Sequence, residues 1–273
     1  MIPGPALLFC PADRPDRFAK AAAAADAVIL DLEDGVAPDD KPRARRALQE
    51  TLLDPRRTIV RINPAGTNDA DRDLDALANT PYETVMLAKA EAAEQAAALA
   101  PRQVIALCET PRGVLAAAQL AAVPNVVALM WGAEDLVAAI GGRSSRRAGG
   151  RYRDVARHAR SAVLLAAAAA STAAVDSVYL DIGDLDGLRD EADDGAASGF
   201  VAKACIHPRQ VAVVRDAYRP TDEEVDRARR VLAAAAGASG VFAFEGRMVD
   251  APLLRHAEQI IRAVGKPGGE TSA

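Results

Sequence analysis

Glu109 and Asp135 each stand just beyond a strongly apolar run, Val104 to Cys108 and Val126 to Met130. Carboxylates offered from two neighbouring strand ends, without a histidine cluster, favour a hard, oxygen-seeking cation. Mg2+ fits that description, with Mn2+ as its substitute, and water and substrate oxygens would complete the coordination. Either acid alone could equally be a helix N-cap or first-turn carboxylate stabilised by the helix dipole; the pairing is what favours a metal. Arg61 closes a third apolar run, Thr58 to Ile62. Its guanidinium could clamp a carboxylate or stabilise a developing enolate. It could also form a buried salt bridge with the Asp31, Glu33 and Asp34 cluster, and the two roles are compatible, since acidic neighbours can orient an arginine that touches substrate. Glu33 and Asp34 are the candidates for that orienting layer.

Other residues invite chemistry less strongly. His207, before Pro208, could be a general base or a histidine that caps the last strand and fixes a loop. His158 and His256 lie on polar helical stretches, so the three histidines form no cluster. No nucleophile elbow marks a serine hydrolase. Arg143, Arg146 and Arg147 sit among glycines and serines in 141–150, a segment that could bind phosphate or simply be a solvated loop. Arg14, Arg17 and Lys20 form a compact basic set near a helix start, better placed for a nucleotide phosphate, although charges on helix surfaces are common.

These residues need a frame that brings strand ends together. Eight short apolar runs alternate with longer segments of helical pattern: Ala6 to Cys10, Ala27 to Leu32, Thr58 to Ile62, Thr84 to Ala88, Val104 to Cys108, Val126 to Met130, Asp176 to Leu180 and Val201 to Ile206. Continuous apolar character is what a parallel strand covered on both faces requires. The spacing predicts helices over Arg14 to Ala25, Pro42 to Leu53, Asp69 to Asn79, Glu91 to Leu99, Pro111 to Ala122, Tyr152 to Ser171, Asp186 to Ala197 and Pro208 to Ala217. Pro42, Pro111 and Pro208 fall where a first-turn proline is tolerated. Polar groups crowd the C-terminal ends of the strands, with Arg61 and Asn63 after the third, Lys89 and Glu91 after the fourth, and Trp131, Glu134 and Asp135 after the sixth. Active sites of closed barrels lie at that rim.

The expectation is an α/β fold, a (β/α)8 TIM barrel over residues 1–219, with a C-terminal extension over 220–273. That extension carries helices around Asp222 to Ala236 and Ala251 to Val264, joined through a hairpin or lid at Gly240 to Val249, and ends in a frayed tail from Gly265. A doubly wound open sheet is the alternative, but no glycine fingerprint follows the first strand.

Composition narrows the partners. With 50% hydrophobic and 26% charged residues the chain can bury a substantial core. Its net charge of −5 gives no reason to expect nucleic acid or an anionic membrane as partner. Met1 to Phe9 lacks the basic start of a signal peptide, and no apolar run approaches a membrane span. Cys10, Cys108 and Cys205 are isolated and each ends an apolar run, which suits buried thiols in a reducing cytoplasm rather than a disulfide or zinc site.

In order, LFCPADRPDRF, VILDLEDGVAPDDKPRAR, VRIN, MLAKAE, LCETPRGV, MWGAEDL, CIHPRQ and FEGRMVDAP resemble the motifs of the citrate lyase β-subunit-like group. That group belongs to the wider HpcH/HpaI aldolase family, which includes malyl-CoA and citramalyl-CoA lyases. The resemblance runs from about Leu7 to Pro252, and Ala88 departs from it where the family usually has proline. It implies a Mg2+-dependent homotrimeric barrel enzyme that cleaves or forms hydroxyacyl thioesters. Glu109 and Asp135 match the metal ligands, and Arg61 the substrate-binding arginine. Gly132 and Ala133 of the GAEDL motif fall at the substrate. Arg17 and Lys20 fall where related lyases contact coenzyme A. Asp250 matches an aspartate that reaches into the neighbouring subunit's site. The implied reaction yields an acyl-CoA and a 2-oxoacid. A citryl thioester on an acyl-carrier protein, a malyl-CoA thioesterase, a free-acid aldolase and a non-catalytic subunit of a complex are the alternatives.

Overall fold

The computed structural model describes residues 2–237 and 240–264. The tail expected from Gly265 lies outside the described residues. By contacts the chain divides into two compact units, Met1–Arg215 and Asp216–Ala273.

The first unit is a closed barrel of eight parallel strands in sequential order: β1 (Ala6–Pro11), β2 (Ala27–Asp31), β3 (Thr58–Ile62), β4 (Thr84–Leu87), β5 (Gln103–Cys108), β6 (Val126–Trp131), β7 (Ala173–Asp176) and β8 (Ala202–Cys205). Pairing of β8 with β1, Leu7 opposite Ala204, closes the ring. Helices between the strands are α1 (Phe18–Ala24), α2 (Lys41–Glu50), α3 (Asn68–Leu77), α4 (Ala93–Ala97), α5 (Pro111–Leu115), α6 (Ala117–Ala121), α7 (Ala133–Ala139), α8 (Asp154–Ala169) and α9 (Leu185–Ser198), with α10 (Pro208–Ala217) after β8. This is the (β/α)8 fold.

Strand parity divides each strand between two environments. Leu7, Ile29, Ile59, Met86, Ile105, Leu107, Ala128, Met130, Val175, Ala202 and Ala204 pack in one buried cluster that fills the barrel. Their neighbours in sequence face the helices. Continuing the inward phase past Ile29, Ile59, Leu107 and Met130 brings Asp31, Arg61, Glu109 and Gly132 to the lumen's upper end. The outward phase carries Trp131, Asp176 and Lys203.

Three expectations are corrected, and one helix was not anticipated. The seventh strand is Ala173–Asp176, not Asp176 to Leu180, and Ala128 opposite Ala173 with Met130 opposite Val175 fixes its register. Its alanines extend the composition of the preceding helix and hide it, whereas the β-branched and aromatic residues that suggested a strand lie in the loop beyond. The segment after β6 forms α7, with Gly132 at its N-cap and Glu134 and Asp135 in its first turn. The helix expected over Pro111 to Ala122 is two short helices that meet at Ala116, and the one expected from Arg14 begins as a 3-10 turn, Pro15–Arg17, before α1.

The second unit holds α11 (Asp222–Ala235), an antiparallel hairpin of β9 (Phe242–Phe244) and β10 (Arg247–Val249), and α12 (Ala251–Val264). Thr221 and Glu224 form a reciprocal capping box that starts α11. Ala228, Val231, Val249 and Ala257 form its small core. Among the described residues no helix is long and apolar enough to cross a membrane.

Candidate active site

The lumen rim is assembled from charge placed in register. Asp31 and Arg61 are direct partners across β2 and β3. Arg61 therefore meets Asp31 side by side, Nε donating to Oδ1 at 2.7 Å and Nη2 to Oδ2 at 2.6 Å. Its remaining Nη1 lies 3.0 Å from Glu33 Oε2, and its guanidinium sits over the Phe9 ring at 4.9 Å. Burial works against the charge on Arg61, but the hydrogen bonds it donates to Asp31 and the field of Asp31, Glu33 and Glu109 hold its pKa above the ordinary arginine value. Asp31 also accepts from the Glu33 and Gly35 amides, both at 2.9 Å. The salt-bridge role is thus realised, chiefly through Asp31, and it presents a fixed cation to the lumen.

Glu33 is buried and Asp34 exposed, and they divide the orienting work. Glu33 contacts Arg61 and also hydrogen-bonds the Lys89 ammonium, while Asp34 reaches Lys89 alone at 3.1 Å. Burial pushes the Glu33 carboxyl up, against the pull of Arg61 and Lys89. For Asp34 burial pushes the pKa up, but the hydrogen bond and charge of Lys89, with Glu33 and Arg61, together draw it down.

Glu109 and Asp135 come together as the spacing suggested. Glu109 is 3% exposed, and its Oε1 accepts the Lys89 backbone N–H at 3.0 Å. Gly132 packs against it so closely that a Cβ there would lie 2.7 Å from Glu109 Cβ and 2.9 Å from Oε2. A side chain at 132 would displace the carboxylate, so glycine is required by this close approach. Burial, and then the charge of Asp135, push the Glu109 carboxyl up to about 8. Asp135, in the first turn of α7, is partly exposed and lies 3.4 Å from Lys89 Nζ. Ala133 is the first residue of α7 and is buried beside Gly132.

Other candidates take no part in these contacts. Arg17 and Lys20 are exposed on the turn and helix after β1, and their side chains make no hydrogen bond or ion pair among the described residues. Asp250 belongs to the second unit, where its carboxylate accepts the Leu253 N–H at 3.3 Å at the start of α12. His207 Nδ1 accepts the Arg209 N–H at 3.1 Å, which supports its loop-fixing role. Arg146 is not a free loop cation: it pairs with Glu191 at 2.7 Å and stacks on Tyr152 and Tyr179. A cavity of about 280 Å3 opens at the other end of the barrel, lined by Pro3, Pro55, Arg56, Glu83 and Gln103, far from this cluster of carboxylates.

The rim holds five carboxylates, Asp31, Glu33, Asp34, Glu109 and Asp135, against two cations, Arg61 and Lys89. Two of these acids have oxygens that the salt-bridge network leaves open, Glu109 through Oε2 and Asp135 by its exposure. Among the described residues no three His, Cys, Asp or Glu side chains form a ready ligand set. A pair of hard oxygen donors in an electronegative pocket suits Mg2+, which keeps several waters and accepts substrate oxygens. The residues present fit that ion.

Residues 6–208 match the model of the HpcH/HpaI aldolase/citrate lyase family. The chain belongs to that family. Within it, a citrate lyase subunit beta-like protein of Mycobacterium tuberculosis (strain ATCC 25618 / H37Rv) is 62% identical over 267 residues, 98% of each chain. The crystal structure of Mycobacterium tuberculosis CitE in complex with magnesium, acetoacetate and coenzyme A has a TM-score of 0.94 and 62% identity, covering 97% of this chain and 99% of that one. The mitochondrial citramalyl-CoA lyase of Homo sapiens is 32% identical over 294 residues, 95% of this chain and 85% of the relative.

Two central residues were not among the expected site residues. Lys89 was visible as a rim residue after the fourth strand, but nothing in its spacing announced that it would touch three carboxylates. Asp31 was grouped with its acidic neighbours, and only strand register singles it out as the partner of Arg61.

Proposed function

We propose that this family member is a Mg2+-dependent carbon–carbon lyase that cleaves, or in reverse forms, a 3-hydroxyacyl-CoA such as malyl-CoA or citramalyl-CoA. The products are an acyl-CoA and a 2-oxoacid. The observation that carries the reading is the pairing of buried Glu109 with partly exposed Asp135 beside the fixed Arg61 cation. The names of the relatives and the ligands of the CitE crystal structure support it.

Glu109 and Asp135 would hold the metal, with Mn2+ as a substitute. When bound, the ion supplies Lewis acidity that lowers the pKa of the substrate hydroxyl and polarises the carbonyl formed from it. The chain's own residues do the rest. Arg61, locked by Asp31 and Glu33, offers a pre-set positive charge to the oxygen on which the enolate develops, with no reorganisation needed at the moment of reaction. As the C2–C3 bond breaks, the hydroxyl proton passes to solvent water, the oxygen's electron pair forms the new carbonyl, and the C2–C3 bonding pair moves onto the thioester α-carbon and its carbonyl. Asp250, contributed by a neighbouring subunit of a homotrimer, would deliver the proton to that carbon. The backbone at Gly132 and Ala133 would border the 2-oxoacid, and Arg17 and Lys20 would hold the phosphates of coenzyme A.

Turnover of malyl-, methylmalyl-, citramalyl- and hydroxymethylglutaryl-CoA, with and without Mg2+, tests the reading when 2-oxoacid and free CoA are both followed. Metal-dependent release of an oxo product with the thioester intact is the expected result. Free CoA released from malyl-CoA would instead indicate a thioesterase, and no cleavage of any compound would overturn the lyase on CoA substrates. Asp250→Asn should slow chemistry about 100-fold, the usual worth of a general acid, while sparing 2-oxoacid binding; an unchanged rate would remove Asp250 from the mechanism.

A further inference from the structure

Lys89 is the one residue of the rim that touches the acids of three different elements. Its backbone amide donates to Glu109 at the end of β5, while its ammonium hydrogen-bonds Glu33 and Asp34 beyond β2 and lies 3.4 Å from Asp135 on α7. Both reaches come from one backbone conformation. Lys89 has φ 49°, in the left-handed region that a non-glycine residue enters only at a steric cost. Strain of this kind persists only where the surroundings over-determine it.

The two cations of the rim are not equivalent. Arg61 is pinned on Asp31 through two parallel hydrogen bonds and on Glu33 through a third nitrogen, with 12% of its side chain exposed. Lys89 is 28% exposed and ends in a point charge on a flexible stem. Its contact with Asp135 is the longest of its ion pairs, so that carboxylate can be released while the Glu33 and Asp34 contacts remain. Asp135 is also one of the two acids that would take a divalent cation. An ammonium and a divalent cation cannot both lie against it without strong repulsion.

We infer that Lys89 is the site's internal counter-ion: it neutralises Asp135 while the site lacks a metal, and yields that carboxylate to the incoming divalent cation by withdrawing onto Glu33 and Asp34. The inference rests on the reading that Glu109 and Asp135 hold the cation. Its consequence is that Lys89 sets metal affinity by competition. It keeps the acids apart and oriented before the ion arrives, and the ion binds less tightly than the bare carboxylates would allow. Lys89 is a positioning residue in this account.

Mn2+ binding followed by electron paramagnetic resonance tests this directly in wild type, Lys89→Met, Lys89→Gly, Lys89→Arg and Glu109→Gln. Loss of the ammonium should tighten Mn2+ by about tenfold or more, after allowing for the partial exposure of the pair. Lys89→Gly accepts the positive φ without strain and keeps the N–H to Glu109, so it should tighten binding as Lys89→Met does. Lys89→Arg, which keeps the charge, should stay near wild type. Without metal, Lys89→Met should melt below wild type and gain more from saturating Mg2+. A merely structural lysine would weaken or leave unchanged Mn2+ binding when removed, and either result in both Lys89→Met and Lys89→Gly would overturn the inference. Wild type that binds no Mn2+, or binds it no better than Glu109→Gln, would overturn the metal reading itself; wild type that binds Mn2+ while both lysine variants fail to gain would overturn the counter-ion alone.

Discussion

Two charged clusters occupy the upper barrel, one residue of strand parity apart, and they are built on opposite principles. On the outward phase, Asp176 is fully buried and takes Trp131 Nε1 at 2.7 Å, Arg160 through two hydrogen bonds at 3.1 Å and Lys203 at 3.2 Å. Lys203, equally buried, also reaches Glu191 and the Ser177 carbonyl, and Glu191 holds Arg146. Asp194, on the rim of this network, pairs with Arg160. Three acids thus meet three cations, and every buried charge has a partner. Burial opposes ionisation of Asp176, yet Lys203 and Arg160 hold its pKa below the ordinary value. On the inward phase, acids outnumber cations and Glu109 is driven the other way, up to about 8. Buried charge that is fully partnered fixes structure, whereas buried charge left short of partners is poised to take a ligand.

The sharpest way to break this comparison is to remove one carboxylate or cation from each side. Glu109→Gln should lower turnover at least about 1,000-fold, since a Lewis acid supplies several kcal/mol of transition-state stabilisation, while the protein stays folded. Lys203→Met should do the reverse. Removing one partner of a buried ion pair costs about 3–5 kcal/mol of stability, read as a fall in the urea midpoint, with the rate of the folded enzyme little changed. A folded, inactive Lys203→Met protein or an unfolded Glu109→Gln protein would erase the division between the clusters.

That division was only half legible in the sequence. Glu109, Asp135 and Arg61 each follow a continuous apolar run, and runs of that kind reveal strand ends directly. Seven of the eight strand positions followed from the same signal, and the closed order from the alternation with helices. The outward cluster was invisible for a complementary reason. Asp176 ends a strand made of alanines and one valine, and Lys203 sits in the middle of Ala202–Cys205, where parity cannot be read without knowing which face is the lumen. Arg160 and Glu191 are ordinary charged residues on helix patterns, and only tertiary packing buries them. The role of Lys89 depends on a positive φ, which no propensity of lysine announces.

A smaller effect separates the clusters by pH. Glu109 titrates at 4.5 when unperturbed and at about 8 in the folded protein. The folded state therefore binds the extra proton between those values. Its stabilising contribution is fully present below about 4.5 and is lost as pH rises through about 8. In chelating buffer, wild type should lose stability across that window relative to Glu109→Gln, which lacks this titration. Asp176, whose folded pKa is depressed, contributes in the opposite sense: its stabilisation is present above the unfolded value of 3.8 and lost only as pH falls through the lower folded value. Denaturant midpoints measured from about pH 2 to about pH 9 check both signs. Equal slopes in wild type and Glu109→Gln would remove Glu109 as the source of the neutral-pH component.

The smallest expected effect tests whether one residue of parity insulates the clusters from each other. Trp131 is the chain's single tryptophan, fully buried, and is held by Asp176 and by an edge-on contact with Tyr152 at 5.1 Å. The next residue, Gly132, touches Glu109. Tryptophan emission thus reports on the closed cluster from a position one peptide away from the open one. If the Trp131 ring is fixed by its own partners, a Mg2+ titration that saturates the site should leave its emission maximum where it was. Tight packing resists small displacements and gives the ring no alternative seat. A shift that tracks metal binding would mean that the peptide joining 131 and 132 carries the change across the strand, and that the partnered cluster helps set how tightly the unpartnered one holds its ion.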